Sequence, residues 1–157
     1  MTDYVTGCTH FGHENIIKLA NRPFETVQEM DAALIENWNA TVRPADTVYH
    51  LGDFAFRGAP GATYLEQLNG NVVLLQGNHD PKSWGQHYLT VRCNRVRAVL
   101  FHYPIEEWDG WYKGNVHLHC HTHSPDFHSG ERRGNVSVEA TNYTPMRIED
   151  AIARLTN

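Results

Sequence analysis

The stretch Val72-Val73-Leu74-Leu75-Gln76-Gly77-Asn78-His79-Asp80-Pro81 joins an apolar run to residues that cannot continue it. Val72 to Gln76 reads as a buried strand, and Gly77 through Pro81 must turn away from it as a loop. An amide, an imidazole and a carboxylate then stand together at a strand end, where open α/β sheets place their sites.

The same arrangement recurs along the chain. Tyr4 to Thr6 is a short strand leading to Cys8-Thr9-His10, and Thr47 to Leu51 delivers Gly52-Asp53. Arg95 to Phe101 alternates around Val96, Ala98 and Leu100 before His102, and Val116 to Cys120 precedes His121-Thr122-His123. Asn135 to Glu139 is expected as a further strand. Between these runs, Thr26 to Val42 carries Val27, Met30, Ala33, Leu34 and Trp38 at helical spacing, with acidic residues at its start and Arg43-Pro44 to stop it. Shorter helices are expected over Asn15 to Ala20, Thr63 to Leu68 and Ile148 to Leu155. Early strand–helix alternation implies parallel pairing, and later strands joined by short loops imply antiparallel neighbours. The expected class is α/β: a βαβ sandwich of two mixed β-sheets flanked by helices. At 157 residues, positions 1–157 form a single domain.

A formal charge of -5 argues against a groove that tracks a nucleic-acid backbone, so no stable nucleic-acid complex is expected. The first residues lack a basic stretch followed by an apolar run, and no segment approaches the roughly 18 apolar residues of a membrane span. A soluble, cytoplasmic protein without a membrane partner is expected. Cys8, Cys93 and Cys120 form an odd set, read as reduced thiols. Eleven histidines exceed what packing needs, and they concentrate around the motifs.

In chemical terms the motifs suit a pair of water-activating metal ions, which needs a bridging carboxylate, neutral nitrogen ligands and open positions. Asp53 is the natural bridge, with Gly52 permitting a tight turn. Asn78 offers a carbonyl ligand, and His79 beside it faces a leaving group, oriented by Asp80. His121 and His123 reach two ions only if the loop turns. Along a regular strand His117, His119, His121 and His123 share one face, which would make a metal-free ladder. His102 is either one more nitrogen ligand or a satisfied core histidine.

Together these segments resemble the calcineurin-like metallophosphoesterase family, whose series is Asp-x-His, Gly-Asp, Gly-Asn-His-Asp/Glu, His and Gly-His-x-His. Thr9 to Ile17 and Asn142-Tyr143-Thr144-Pro145 look like its small single-domain members from bacteria and their phages; a phage-encoded chain would work in the host cytoplasm. The resemblance implies that His10, Asp53 and His123 bind one divalent ion while Asp53, Asn78, His102 and His121 bind the other, with His79 as leaving-group acid. Cys8 stands where the family has Asp, and Cys120 where it has Gly. A Cys8 thiolate would ligate the first ion and favour Mn²⁺ above all, with Fe²⁺, Zn²⁺ or Ni²⁺ as alternatives, over Mg²⁺. A protonated Cys8 would weaken that site. Cys120 is tolerated only if its backbone does not need positive φ, and oxidation could join it to Cys8.

The implied activity is hydrolysis of a small phosphodiester, 2′,3′-cyclic nucleotides favoured, by a metal-bound hydroxide with His79 protonating the departing oxygen. A phosphomonoesterase with the same centre, or an interaction module disabled at Cys8, are the alternatives. His13, Phe11 and Arg57 are candidate substrate contacts, with Phe54, Phe56 and Trp84 as further stacking candidates. Trp108, Trp111 and Tyr112 are expected on an exposed loop that walls the pocket or mediates association. Monomer and homo-oligomer both remain open.

Overall fold

Residues 1–57 and 59–157 are described in the computed structural model. In chain order the elements are β1 (Asp3–Thr6), α1 (Ile16–Leu19), α2 (Val27–Thr41), β2 (Thr47–His50), α3 (Gly61–Leu65), β3 (Asn71–Leu74), β4 (Tyr88–Cys93), β5 (Val96–Phe101), β6 (Val116–His119), β7 (His128–Gly130), β8 (Arg133–Asn135), β9 (Met146–Arg147) and α4 (Ile148–Thr156). Single 3₁₀ turns lie at Lys82–Trp84, Trp111–Lys113 and Val138–Ala140.

Two mixed sheets face each other, as the α/β reading expects. The first has the order β3-β2-β1-β9, with β1, β2 and β3 parallel and β9 antiparallel to β1. The second has the order β4-β5-β6-β8-β7. Its pairings correct the expectation of antiparallel neighbours in the second half, because β5–β6 and β6–β8 are parallel and only β4–β5 and β7–β8 are antiparallel. The segments 102–115 and 120–132 are long enough to return the chain to the same end, as a parallel connection requires.

Period-two alternation sorts the first sheet between two cores. Tyr4 and Val48 turn toward Met30, Leu34 and Trp38 of α2, whereas Val5, Leu51 and Leu75 join Ala98, Leu100, Leu118 and Val136 between the sheets. The three α2 residues are four apart and form one buried stripe. Thr26 caps α2 by accepting from the Glu29 amide at 3.1 Å. Ile148, Ala151, Ile152 and Leu155 of α4 close the inter-sheet core.

Several expectations need correction. The buried strand expected over Val72 to Gln76 is buried in part: β3 is the edge of its sheet with Val72, Val73 and Leu74 half-covered, and Leu75 just beyond it is fully buried. The strand expected over Asn135 to Glu139 stops at Asn135, whose side-chain Oδ1 accepts from the Ser137 amide at 3.0 Å and hydroxyl at 2.7 Å and turns the chain into a 3₁₀ turn. Trp108 is buried, donating its indole N–H to the Asn115 carbonyl at 2.9 Å, and Trp111 is half-buried beneath Arg132; only Tyr112 stands clear of the surface.

Candidate metal centre

Every motif leaves its strand at the same end of the sandwich. Backbone bonds zip the first two together, from Cys8 N to Gly52 O (2.9 Å), His10 N to Asp53 O (3.0 Å) and Phe11 N to Phe54 O (3.0 Å). Gly52, at φ 102, lies against the Gly77 backbone so closely that a Cβ there would sit 2.6 Å from Gly77 Cα and 2.8 Å from His102 Nδ1. This contact brings the Asp53 loop and the Asn78 loop into one cluster.

The backbone is bent unusually at the site. Cys8, His10, Asp53, His121 and His123 all have φ between 52 and 71. Residues other than glycine seldom occupy this left-handed region, and such positions gather at functional sites. The reversal at His121 and His123 dissolves the histidine ladder. His117 and His119 stay on β6 as buried core groups, bonded to Val99 O (2.9 Å) and Ser129 Oγ (2.7 Å), while His121 and His123 swing toward the cluster. Cys120 is not among the described residues with positive φ, which is why a side chain fits there.

The donor atoms form two adjoining groups, overlapped by a third close set of Cys8, His102 and Cys120. Cys8, His10 and His123 present one atom each within 4.8 Å of one another, and so do Asp53, His102 and His121. Asp53 lies between them, its Oδ2 3.6 Å from His10 Nε2 and 3.4 Å from His102 Nε2. Its Oδ1 accepts from the His79 amide at 2.9 Å. His102 Nδ1 must donate to the Leu51 carbonyl at 2.8 Å, which leaves Nε2 facing Asn78 Oδ1 at 2.9 Å and His121 Nδ1 at 3.2 Å. Burial disfavours charge on His102, yet its bond to Asp53 and the Cys8 charge raise its pKa, so Nε2 faces the Asn78 and Asp53 oxygens as a site for a proton or a cation. His10 Nε2 is buried with no hydrogen-bond partner among the described residues, although Nδ1 of the same ring meets His13 Nδ1 at 3.2 Å.

Buried acceptors of this kind are costly unless a cation lies among them. Burial opposes ionisation of Asp53, but the His102 hydrogen bond and charge outweigh it and hold its pKa below the usual carboxylate range. Burial likewise opposes a Cys8 thiolate, but hydrogen bonds from Cys120, His10 and His123 bring that thiol well below its ordinary range. Cys120 moves the other way, raised by burial and by its bond to Cys8, and stays a thiol. The His121 amide also donates to Cys8 Sγ at 3.1 Å. Two buried anions thus need positive charge. Protons supply it in part: burial disfavours charge on His123, yet its bonds to Cys8 and Glu139 push its pKa up to about 10. Divalent ions suit the same donors, since thiolate, imidazole, carboxylate and amide oxygen together match Mn²⁺, Fe²⁺ or Zn²⁺ chemistry.

Two residues that carry no motif hold this cluster in place. Glu139 Oε1 accepts from His123 Nδ1 at 2.8 Å, which aims the other ring nitrogen inward, and from Arg22 Nε at 2.9 Å. Arg22 is buried and also donates to the Thr9 and Cys8 carbonyls at 2.7 and 2.6 Å. A carboxylate behind a ligand histidine fixes its tautomer and orientation. Nothing local in the sequence marks either residue; the one available hint was a charged Glu139 next to the apolar Val136 and Val138.

The expectation that Asp80 orients His79 is corrected. Asp80 Oδ2 accepts from the amides of Asp53 (2.6 Å) and Gly77 (2.7 Å), and Oδ1 from Phe54 (3.0 Å), so its carboxylate ties loops together and does not hold the imidazole. His79 is exposed and its ring centre lies 5.7 Å from that of His10. Phe11 is also corrected: it is fully buried between Phe54 and Tyr64. Phe54 is core as well. His13 is half-buried, stacked on Phe56 at 4.6 Å. Beside His79 opens a cavity of about 630 Å³ whose walls include Phe56, Arg57, Asn78, Lys82 and Trp84.

The family described as calcineurin-like phosphoesterase matches residues 1–145, and the chain belongs to it. An uncharacterized protein of Methanocaldococcus jannaschii is 39% identical, the match covering 97% of this chain and 89% of the relative. The Gene 66 protein of Mycobacterium phage L5 is 25% identical, with 87% and 86% covered. Among solved structures, a protein of unknown function from Aquifex aeolicus is similar with TM-score 0.72 and 26% identity, each chain covered to 98%. No helix among the described residues is long and apolar enough to cross a membrane.

Proposed function

We propose that this phosphoesterase hydrolyses phosphodiester bonds of small nucleotide-type substrates, with 2′,3′-cyclic nucleotides the favoured class. The observation that carries the proposal is the convergence of the Cys8, His10, His102, His121 and His123 ligand atoms around the Asp53 carboxylate, with the exposed ring of His79 beside them. Cys8, His10, Asp53 and His123 would hold one divalent ion, and Asp53, Asn78, His102 and His121 the second, Mn²⁺ favoured. When bound, such ions supply Lewis acidity to phosphoryl oxygens and activate water near neutral pH.

The chain's own groups do the rest. Asp53 stays ionised and spans both donor groups. Glu139 and the Leu51 carbonyl orient the rings of His123 and His102. His79, fixed through its amide to Asp53 and open to the cavity, protonates the departing ester oxygen. The cavity beyond it has room for an organic group on the leaving oxygen, as a nucleotide ester requires.

The test is metal content of protein purified without added metal, with turnover of bis-p-nitrophenyl phosphate, p-nitrophenyl phosphate and 2′,3′-cyclic AMP on titrating Mn²⁺. Two metals with diesterase activity are expected. Absence of turnover at saturating Mn²⁺ refutes the reading, and faster monoester cleavage replaces it with a phosphomonoesterase. His79→Gln should lower kcat about 10²- to 10⁴-fold on 2′,3′-cyclic AMP with little change in metal content. Full turnover in that variant removes the assigned role.

A further inference from the structure

The cavity beside His79 carries more positive charge than one phosphodiester uses. Arg57 and Lys82 both line it, both are exposed, and among the described residues neither takes part in an ion pair. The carboxylate in its wall, Asp80, has both oxygens turned to backbone amides. In a chain with 13 basic and 18 acidic residues, two uncompensated cations on one cavity wall are a local reversal of sign. The aromatic rings of Phe56, which stacks on His13, and Trp84 stand on the same walls.

The scissile phosphate has its own partners in the donor cluster. Asn78 and His79 line the cavity where it adjoins that cluster, so the cavity can receive the leaving-group half of the substrate. We infer that Arg57 and Lys82 form a subsite for a second phosphate on that half, with Phe56 and Trp84 providing apolar walls for its base. The substrate class is then a nucleotide phosphodiester that bears an additional phosphate, such as a 2′,3′-cyclic nucleotide phosphorylated on its 5′ oxygen. This rests on the phosphodiesterase reading for its chemistry, though not for its binding.

Two measurements on Mn²⁺-supplemented protein test it. The first compares kcat/KM for adenosine 2′,3′-cyclic phosphate with and without a 5′-phosphate. The second compares calorimetric binding of adenosine 3′-monophosphate with adenosine 3′,5′-bisphosphate. Each is repeated with Arg57→Gln/Lys82→Gln. The 5′-phosphate should improve kcat/KM and binding about tenfold at low salt, less at high salt, and the double variant should lose that ratio. An equal response to both members of each pair overturns the subsite, as does a preference that survives in the double variant. If neither cyclic compound is hydrolysed, the phosphodiesterase reading fails, and the bisphosphate binding ratio alone then decides the subsite.

Discussion

Glu139→Gln removes one charge and keeps the shape of the side chain. Glu139 Oε1 takes donors from Arg22 Nη2 (2.8 Å), Arg22 Nε (2.9 Å) and His123 Nδ1 (2.8 Å). The Arg22 and Glu139 side chains are 0% and 4% exposed, so solvent screens the pair little. Removing one partner of a buried pair costs about 3–5 kcal/mol. Arg22 keeps the Thr9 and Cys8 carbonyls at 2.7 and 2.6 Å, which places the loss at the lower end, about 3 kcal/mol. At about 2–4 °C per kcal/mol for a chain of this size, Tm should fall by about 6–12 °C. His123 loses the anion that orients it, so metal affinity should fall about 10- to 100-fold. Thermal melts of metal-stripped protein and Mn²⁺ competition against an indicator dye measure the two effects separately. A variant that melts within about 2 °C of the parent and binds Mn²⁺ as tightly would refute the positioning role.

Gly52→Ala should destabilise by about 2–4 kcal/mol in urea unfolding, since φ is 102 and the new Cβ would meet Gly77 Cα at 2.6 Å; a loss below about 1 kcal/mol would contradict the close loop contact. Cys8→Ala should remove one metal equivalent and shift preference toward harder ions, and unchanged stoichiometry with unchanged preference would dismiss the thiolate ligand. The pKa of His123, raised from 6.5 to about 10 in metal-free protein, sets a direction for pH. A raised histidine stabilises fully below its unfolded value and loses that contribution as pH climbs through its folded one, but the lowered Cys8 thiol gains one over the range below 9.0. The two offset, so metal-free protein should weaken only as pH rises above the free thiol range toward 10. Metal must displace that proton, so Mn²⁺ affinity should fall with acidification and binding should release protons in calorimetry across buffers of different ionisation enthalpy. Melts that stay flat from pH 9 to pH 10, or binding without proton release, would exclude the linkage.

The positions of the ligand candidates were readable because each motif falls where an apolar run stops, and in the first sheet a glycine marks the stop. Gly52 before Asp53 and Gly77 before Asn78 are local signals of a chain leaving a strand. The network behind them was not readable: Arg22 and Glu139 meet across 117 positions, and neither neighbourhood shows that a charge will be buried. Asp80 misled through adjacency, because its place beside His79 in the chain says nothing about a turn that sends its carboxylate back to the Asp53 amide. Strand β4 was unforeseen, since Thr90 and Arg92 interrupt its apolar residues and its pairing with β5 depends on a reversal at Asn94, where φ is 56. The very short strands β7 and β9 have too few residues to show a period at all.

The two sheets contribute unequal shares of one cluster. Cys8, His10, Asp53 and Asn78 follow strands of the first sheet, whereas His102, His121 and His123 follow strands of the second. Each donor group therefore straddles the interface, and the spacing of its atoms records how the sheets are aligned. A lateral slip by one residue, about 3.3 Å, would exceed the tolerance of any coordination sphere. Packing of the inter-sheet core that holds Leu51 and Leu118, or of α4 against both sheets, thereby acts as a distant calibration of the reactive end. Mutations in that core would be felt as altered metal preference before they were felt as unfolding.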